Sequence, residues 1–117
     1  MADNNIFEDY KAAAAFVEKI TATEDALNIL YRNGKSETHL FNSLKKVTII
    51  TTDQGPFADD VFWLLLLDSI IMIAQGTTGE DALLSRLQSL PGFNNEQVIE
   101  AMSCSDNNSF LVWERPV

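Results

Sequence analysis

A single cysteine among 117 residues leaves no partner for a disulfide within the chain and excludes any cysteine-built metal cluster. A single histidine excludes a two-histidine zinc site. Five glycines and three prolines are too few for collagen-like or Pro/Gly-rich classes. Bases are scarce as well: eight Lys and Arg stand against seventeen Asp and Glu, a formal net charge of −9. That balance argues against a nucleic-acid binder working by phosphate neutralisation. Long apolar runs are missing too. The most hydrophobic stretch, Val61 to Ala74, is split by Asp68-Ser69 and falls short of the roughly 20 residues that span a bilayer. The opening Met1-Ala2-Asp3-Asn4-Asn5 is acidic and polar, the reverse of the basic start of a secretory signal. A soluble, cytoplasmic protein of a reducing compartment, with neither membrane nor nucleic acid as partner, is the expectation.

Hydrophobic residues make up 46% of the chain, which excludes disorder and supplies the core of one globular domain over 1–117. Charge is unevenly spread. Residues 1–46 hold seven acids and six bases, a net of −1, whereas residues 47–117 hold ten acids and two bases, a net of −8. The two bases are Arg86 and Arg115. Such a field repels nucleic acid and steers basic surfaces inward, although acids also serve simply to keep a small domain soluble.

The periodicity predicts an α+β fold. Asn5-Ile6-Phe7-Glu8 fits a helix start, and Ile6, Tyr10, Ala13, Ala14, Val17 and Ile20 recur at helical spacing, so an N-terminal helix is expected over 6–20. Asn33-Gly34 predicts a two-residue hairpin turn between strands 26–32 and 36–41. Val47 to Thr52 is dense in β-branched residues and reads as a strand. Asp53-Gln54-Gly55-Pro56 follows as a loop. Val61 to Leu67 is apolar on both alternation sets, as a strand buried on both faces or a buried helix would be, and Ile70 to Ala74 reads as the next strand after a tight turn at Asp68-Ser69. Thr77-x-x-Glu80 and Asn94-x-x-Gln97 each read as a capping box. The first precedes Leu83, Leu84, Leu87 and Leu90, with Pro91-Gly92 as the stop; the second precedes Val98, Ile99 and Met102. Phe110 to Trp113 reads as a last strand. The expected order is helix, an antiparallel meander of about five strands, two helices and a C-terminal strand.

Three strings are distinctive: Asp53-Gln54-Gly55-Pro56-Phe57-Ala58-Asp59-Asp60-Val61-Phe62-Trp63, Leu90-Pro91-Gly92-Phe93-Asn94-Asn95-Glu96 and Phe110-Leu111-Val112-Trp113-Glu114-Arg115. In them the chain resembles a group of small bacterial proteins of uncharacterised function, built on a meandering antiparallel sheet followed by helices. The resemblance covers roughly residues 24–115, leaves the first helix as an addition, and favours the strand reading of 61–67. It implies no activity, so no catalytic residue is carried over.

Candidate chemistry is sparse. Asp53, Asp59 and Asp60 flank the Gly55-Pro56 turn and could offer oxygens to a hard cation, but their spacing is not that of an EF-hand, and a self-bonded polar loop explains them as well. His39 and Cys104 lack the flanks of a nucleophile motif; a half-buried strand histidine and a small apolar cysteine are the plainer readings. Gly76-Thr77-Thr78-Gly79 opens a helix but is no P-loop, and Glu80 and Asp81 would repel an anion there. Phe57, Phe62, Trp63 and Trp113 serve either a binding surface rimmed by acids or, more commonly, a core. No enzyme centre, cofactor or metal is therefore expected. The expectation is a non-enzymatic acidic protein-interaction domain, an immunity or inhibitor protein against a basic partner being one form. Its contact residues would be Asp53, Phe57, Asp59 and Asp60, since loops displayed on a rigid sheet carry recognition. A self-associating structural domain, homo-oligomeric by its own copies, and a small enzyme using the Asp53–Asp60 carboxylates are the alternatives.

Overall fold

The computed structural model describes residues 12–52, 61–104 and 106–116. Among them the chain is α+β, with two antiparallel sheets. A three-stranded sheet runs β1-β2-β3 and a four-stranded sheet runs β6-β5-β4-β7. The strands are β1 (Val17–Ala22), β2 (Ala26–Tyr31), β3 (Ser36–Leu40), β4 (Lys46–Thr51), β5 (Val61–Leu66), β6 (Ile70–Ala74) and β7 (Asn108–Glu114). Two helices, α1 (Glu80–Gln88) and α2 (Asn95–Met102), lie between β6 and β7 in the chain.

The N-terminal expectation is corrected here. Residues 12–15 are helical, but 17–22 form β1, and the part of the expected helix before residue 12 lies outside the described residues. The physical reason is a β-bulge. Val17 faces Tyr31 while Lys19 already faces Leu30, so Glu18 is the extra residue. The bulge sets the two inward residues Val17 and Ile20 three apart, which imitates one turn of helix. A single meander with a C-terminal strand therefore becomes seven strands in two sheets.

The β2–β3 hairpin forms over the expected strands, but with a three-residue loop. Gly34 alone takes a positive φ, its N–H donates to the Tyr31 carbonyl at 3.0 Å, and the Tyr31 N–H donates to the Lys35 carbonyl at 2.8 Å. That is the turn-plus-bulge hairpin in which one left-handed glycine suffices.

β5 lies between β4 and β6, and its two apolar alternation sets enter two cores. Val61, Trp63 and Leu65 join the main cluster, with Ile20, Ile29, Ile49, Ile73 and the α1 residues Leu83 and Leu87. Phe62 joins Ile50, Met72, Ala74 and Ala14 on the other side of the four-stranded sheet. The helical turn 12–15 thus covers one face of this sheet, and the chain then passes to the three-stranded sheet on the other. In β7 a second bulge, between the Val47–Trp113 and Thr48–Leu111 pairs, lets consecutive Val112 and Trp113 both be buried.

α2 starts as the sequence predicts, with Asn94 accepting from the Gln97 N–H at 3.1 Å. Its apolar face is narrower than expected: Ala101 is buried, whereas Ile99 and Met102 are exposed. The Thr77–Glu80 capping box does not form. Gly79, at φ 97°, is the N-cap, and the Thr77 hydroxyl donates to the Ala74 carbonyl. Glu80 instead accepts from the Gly76 N–H at 2.9 Å and from the Trp63 indole at 2.7 Å. The chain turns at Gly79 because Thr78 is held against β1 by a parallel bridge to Lys19 and by the Ile20 N–H.

Candidate functional site

Asp53, Phe57, Asp59 and Asp60, the expected partner-binding and cation-binding residues, lie outside the described residues. Their flanks are well placed. Thr51 pairs with Val61 and with Asn108, so the chain leaves and rejoins the centre of the four-stranded sheet at one end. Lys46 pairs with Leu66 and Glu114 at the opposite end, about 17 Å away at some 3.4 Å per residue. Lys45 and Arg115 sit beside it, joined by a backbone hydrogen bond of 2.8 Å. Thr51 and Val61, which flank 53–60, and these three bases thus lie at opposite ends of one sheet.

Among the described residues, neither base of 47–117 forms an ion pair with an acid of that part. Arg115 donates to the carbonyls of Leu44, Asn42 and Phe41 at 2.8, 2.9 and 3.3 Å, and its guanidinium lies 5.7 Å from the Trp113 ring centroid. Arg86 donates to the Glu24 carbonyl at 2.7 Å and lies 4.9 Å from the Phe41 ring centroid. Both guanidiniums therefore satisfy backbone oxygens where the first part of the chain meets the second. Among the described residues, the acids of 47–117 in an ion pair are Asp68, with His39, and Glu114, with Lys46 at 4.0 Å.

His39 is the hub of a charged cluster that sequence reasoning missed. Its ring is 7% exposed, at the junction of the two sheets. Nδ1 lies 2.7 Å from Asp68 Oδ1, in the β5–β6 turn, and Nε2 lies 3.2 Å from Glu37 Oε1, two residues away on β3. Glu37 Oε1 also accepts from the Tyr31 hydroxyl at 2.8 Å. Both ring nitrogens face carboxylate oxygens, an arrangement that favours the imidazolium form. Burial alone pushes the His39 pKa down, but the Asp68 and Glu37 hydrogen bonds and charges together raise it. Asp68 is held below its usual value by its hydrogen bond to His39, and Glu37 by those to Tyr31 and His39. The Tyr31 hydroxyl is pushed up to about 12 by burial and by Glu37. The cluster joins β3 of one sheet to the β5–β6 turn of the other, and the Tyr31 phenol, at about 12, is a poor nucleophile.

Cys104 lies elsewhere, against the Thr51 hydroxyl at 3.6 Å, where Thr51 also donates to the Asp106 carbonyl at 2.7 Å. It is not part of the His39 cluster. Phe62, Trp63 and Trp113 are all buried, which assigns them to the core and not to a surface. Beside the His39 cluster opens a cleft of about 410 Å³, between β6 and the β2–β3 hairpin. Among the described residues no helix is long and apolar enough to cross a membrane. Comparison with known protein families, with curated proteins and with solved structures finds no match to this chain.

Proposed function

We propose that the chain is a non-enzymatic acidic protein-interaction domain that receives a basic protein on its acids at 53–60. An immunity or inhibitor protein that masks such a partner is its concrete form. The observation that carries this reading is that, among the described residues, Arg86 and Arg115 donate to backbone carbonyls and pair with no acid of 47–117, a part whose ten acids and two bases net −8. An uncompensated field draws opposite charge over distances longer than any contact and gives the partner its orientation. The sheet register supports it, because Thr51 and Val61 lie at the end of the sheet away from Lys45, Lys46 and Arg115.

The test compares the wild-type chain with a triple Asp53→Asn, Asp59→Asn, Asp60→Asn variant, each immobilised and exposed to lysate of the source cell. Retention of a protein with net positive charge by the wild type, lost in the variant and lost at high salt, is the expected result. Equal retention by both chains, or a retained partner of net negative charge, contradicts it.

A further inference from the structure

We infer that His39 is a pH-sensitive latch between the two sheets, binding Asp68 of the β5–β6 turn in its protonated form and releasing it in its neutral form. The ring is buried and stands between two carboxylates, with Asp68 Oδ1 2.7 Å from Nδ1 and Glu37 Oε1 3.2 Å from Nε2. An imidazolium donates to both at once. A neutral imidazole has one N–H and turns a lone pair toward the other oxygen. A lone pair that faces a carboxylate at such a distance is repelled, so one contact opens when the proton leaves. Without the cation between them the two carboxylates also repel each other, and the Asp68 charge already pushes the Glu37 carboxyl upward.

Geometry decides which contact opens. Glu37 lies two residues from His39 on β3, so the sheets can shift without parting it from the ring. The Tyr31 hydroxyl, at 2.8 Å, holds the same Glu37 oxygen in place. Asp68 belongs to the other sheet, and its side chain is 67% exposed, so water can replace the ring as its partner. Leu67 and Ile71 are anchored in the main core on either side of the turn. The exposed residues between them, Asp68, Ser69 and Ile70, are the stretch with room to move. The neutral ring therefore keeps its proton on Nε2, toward Glu37, and lets Asp68 go.

Leu27, opposite His39 on β2, is apolar and brings no charge to the ring. Among the described residues, Lys35 on the hairpin and Lys45 before β4 form no ion pair with Glu37 or Asp68. The charges acting on the ring are those of Asp68 and Glu37, which hold the proton on it to higher pH. Elsewhere the three-stranded sheet and the segment after it are tied to the rest of the chain through backbone carbonyls. The Ile20 N–H donates to Thr78, Arg86 to Glu24, and Arg115 to Phe41, Asn42 and Leu44. These bonds do not titrate near neutrality, so release is local to the β5–β6 turn and leaves the fold standing. The latch does not rest on the acids of 53–60.

The experiment follows the His39 ring nitrogens by nitrogen NMR of the full chain across the ring's titration, together with the methyl signals of Ile70. Above the ring's midpoint, Nε2 should carry the proton and Nδ1 should be bare. The Ile70 methyl signals should move with the same midpoint. An Asn side chain can accept from the protonated ring or donate to the neutral one, so Asp68→Asn should abolish the Ile70 movement while the ring still titrates. Its ring midpoint should lie below that of the wild type, because one of the two charges is gone. His39→Gln, which cannot titrate, should leave Ile70 unmoved as well. A neutral ring protonated on Nδ1 overturns the inference. So does an Ile70 signal that ignores the ring in the wild type, or one that still moves in either variant. The tautomer is read on the wild type and decides the matter even where a variant fails to fold.

Discussion

His39 makes the clearest single-residue prediction, because its charge is shared between the sheets. Its folded pKa is raised above the ordinary 6.5, so the stability it contributes is fully present below 6.5 and is lost as pH rises through the folded value. Asp68 and Glu37 are lowered from 3.8 and 4.5, so their contribution is present above those values and is lost as pH falls through the folded ones. These are the same contacts seen from both partners. The urea midpoint should accordingly be highest between the carboxylate range and 6.5, and His39→Gln should flatten its alkaline decline. A wild-type decline above 6.5 that persists unchanged in His39→Gln contradicts this role. Trp63 is the other decisive side chain. At 1% exposed and bonded to Glu80, its replacement by Ala should destabilise the fold by about 3–5 kcal/mol, read from denaturant unfolding. Sequence alone showed Glu37 and His39 to be two apart on a strand, hence on one face. Asp68 could not be matched to them, because 29 residues separate it from His39 and only the packing of two sheets brings them together.

At the scale of elements, local chemistry identified strands wherever one partner strand decides the structure, though it took the three-residue loop at 32–34 for a two-residue turn. The β2–β3 hairpin, the β-branched β4 and the doubly apolar β5 were all legible for that reason. The failures have a common cause in residues placed by something distant. Val17 and Ile20 look helical because a bulge against β2 spaces them by three. The string Thr77-x-x-Glu80 looks like a cap, yet the Trp63 indole and the Gly76 N–H take the Glu80 carboxylate. Gly79 joins β6 and α1 where the backbone of β1 passes. A Cβ there would stand 1.9 Å from the Ile20 carbonyl oxygen, at a φ of 97° that side chains resist. Gly79→Ala should therefore cost roughly 2–3 kcal/mol or more in unfolding free energy. Gly34→Ala, whose added Cβ meets nothing within 4 Å, should cost less. Equal effects of the two substitutions would contradict the close approach of β1 to this joint.

The whole molecule is two sheets joined by a short linker, and the arginines hold that junction. Arg115 gathers three carbonyls of 41–44 and stands over Trp113, so Arg115→Ala should destabilise by about 2–3 kcal/mol, and Arg115→Lys should recover only part of that because an ammonium lacks the planar fork. The same placement turns both Arg86 and Arg115 to backbone carbonyls. The charge imbalance was legible from the sequence, and the carbonyls that Arg86 and Arg115 reach were not, since only the fold brings them together. The most direct test of the acidic-interaction account is the association rate with the retained basic partner, measured by stopped flow from low to physiological salt. It is compared between the wild type and an Asp59→Asn, Asp60→Asn double variant. Charges are screened over about 8 Å at 0.15 M, so the wild-type on-rate should fall steeply with salt, and the double variant should lower the on-rate more than it raises the off-rate. A salt-independent on-rate, or a double variant with unchanged kinetics, would contradict the account.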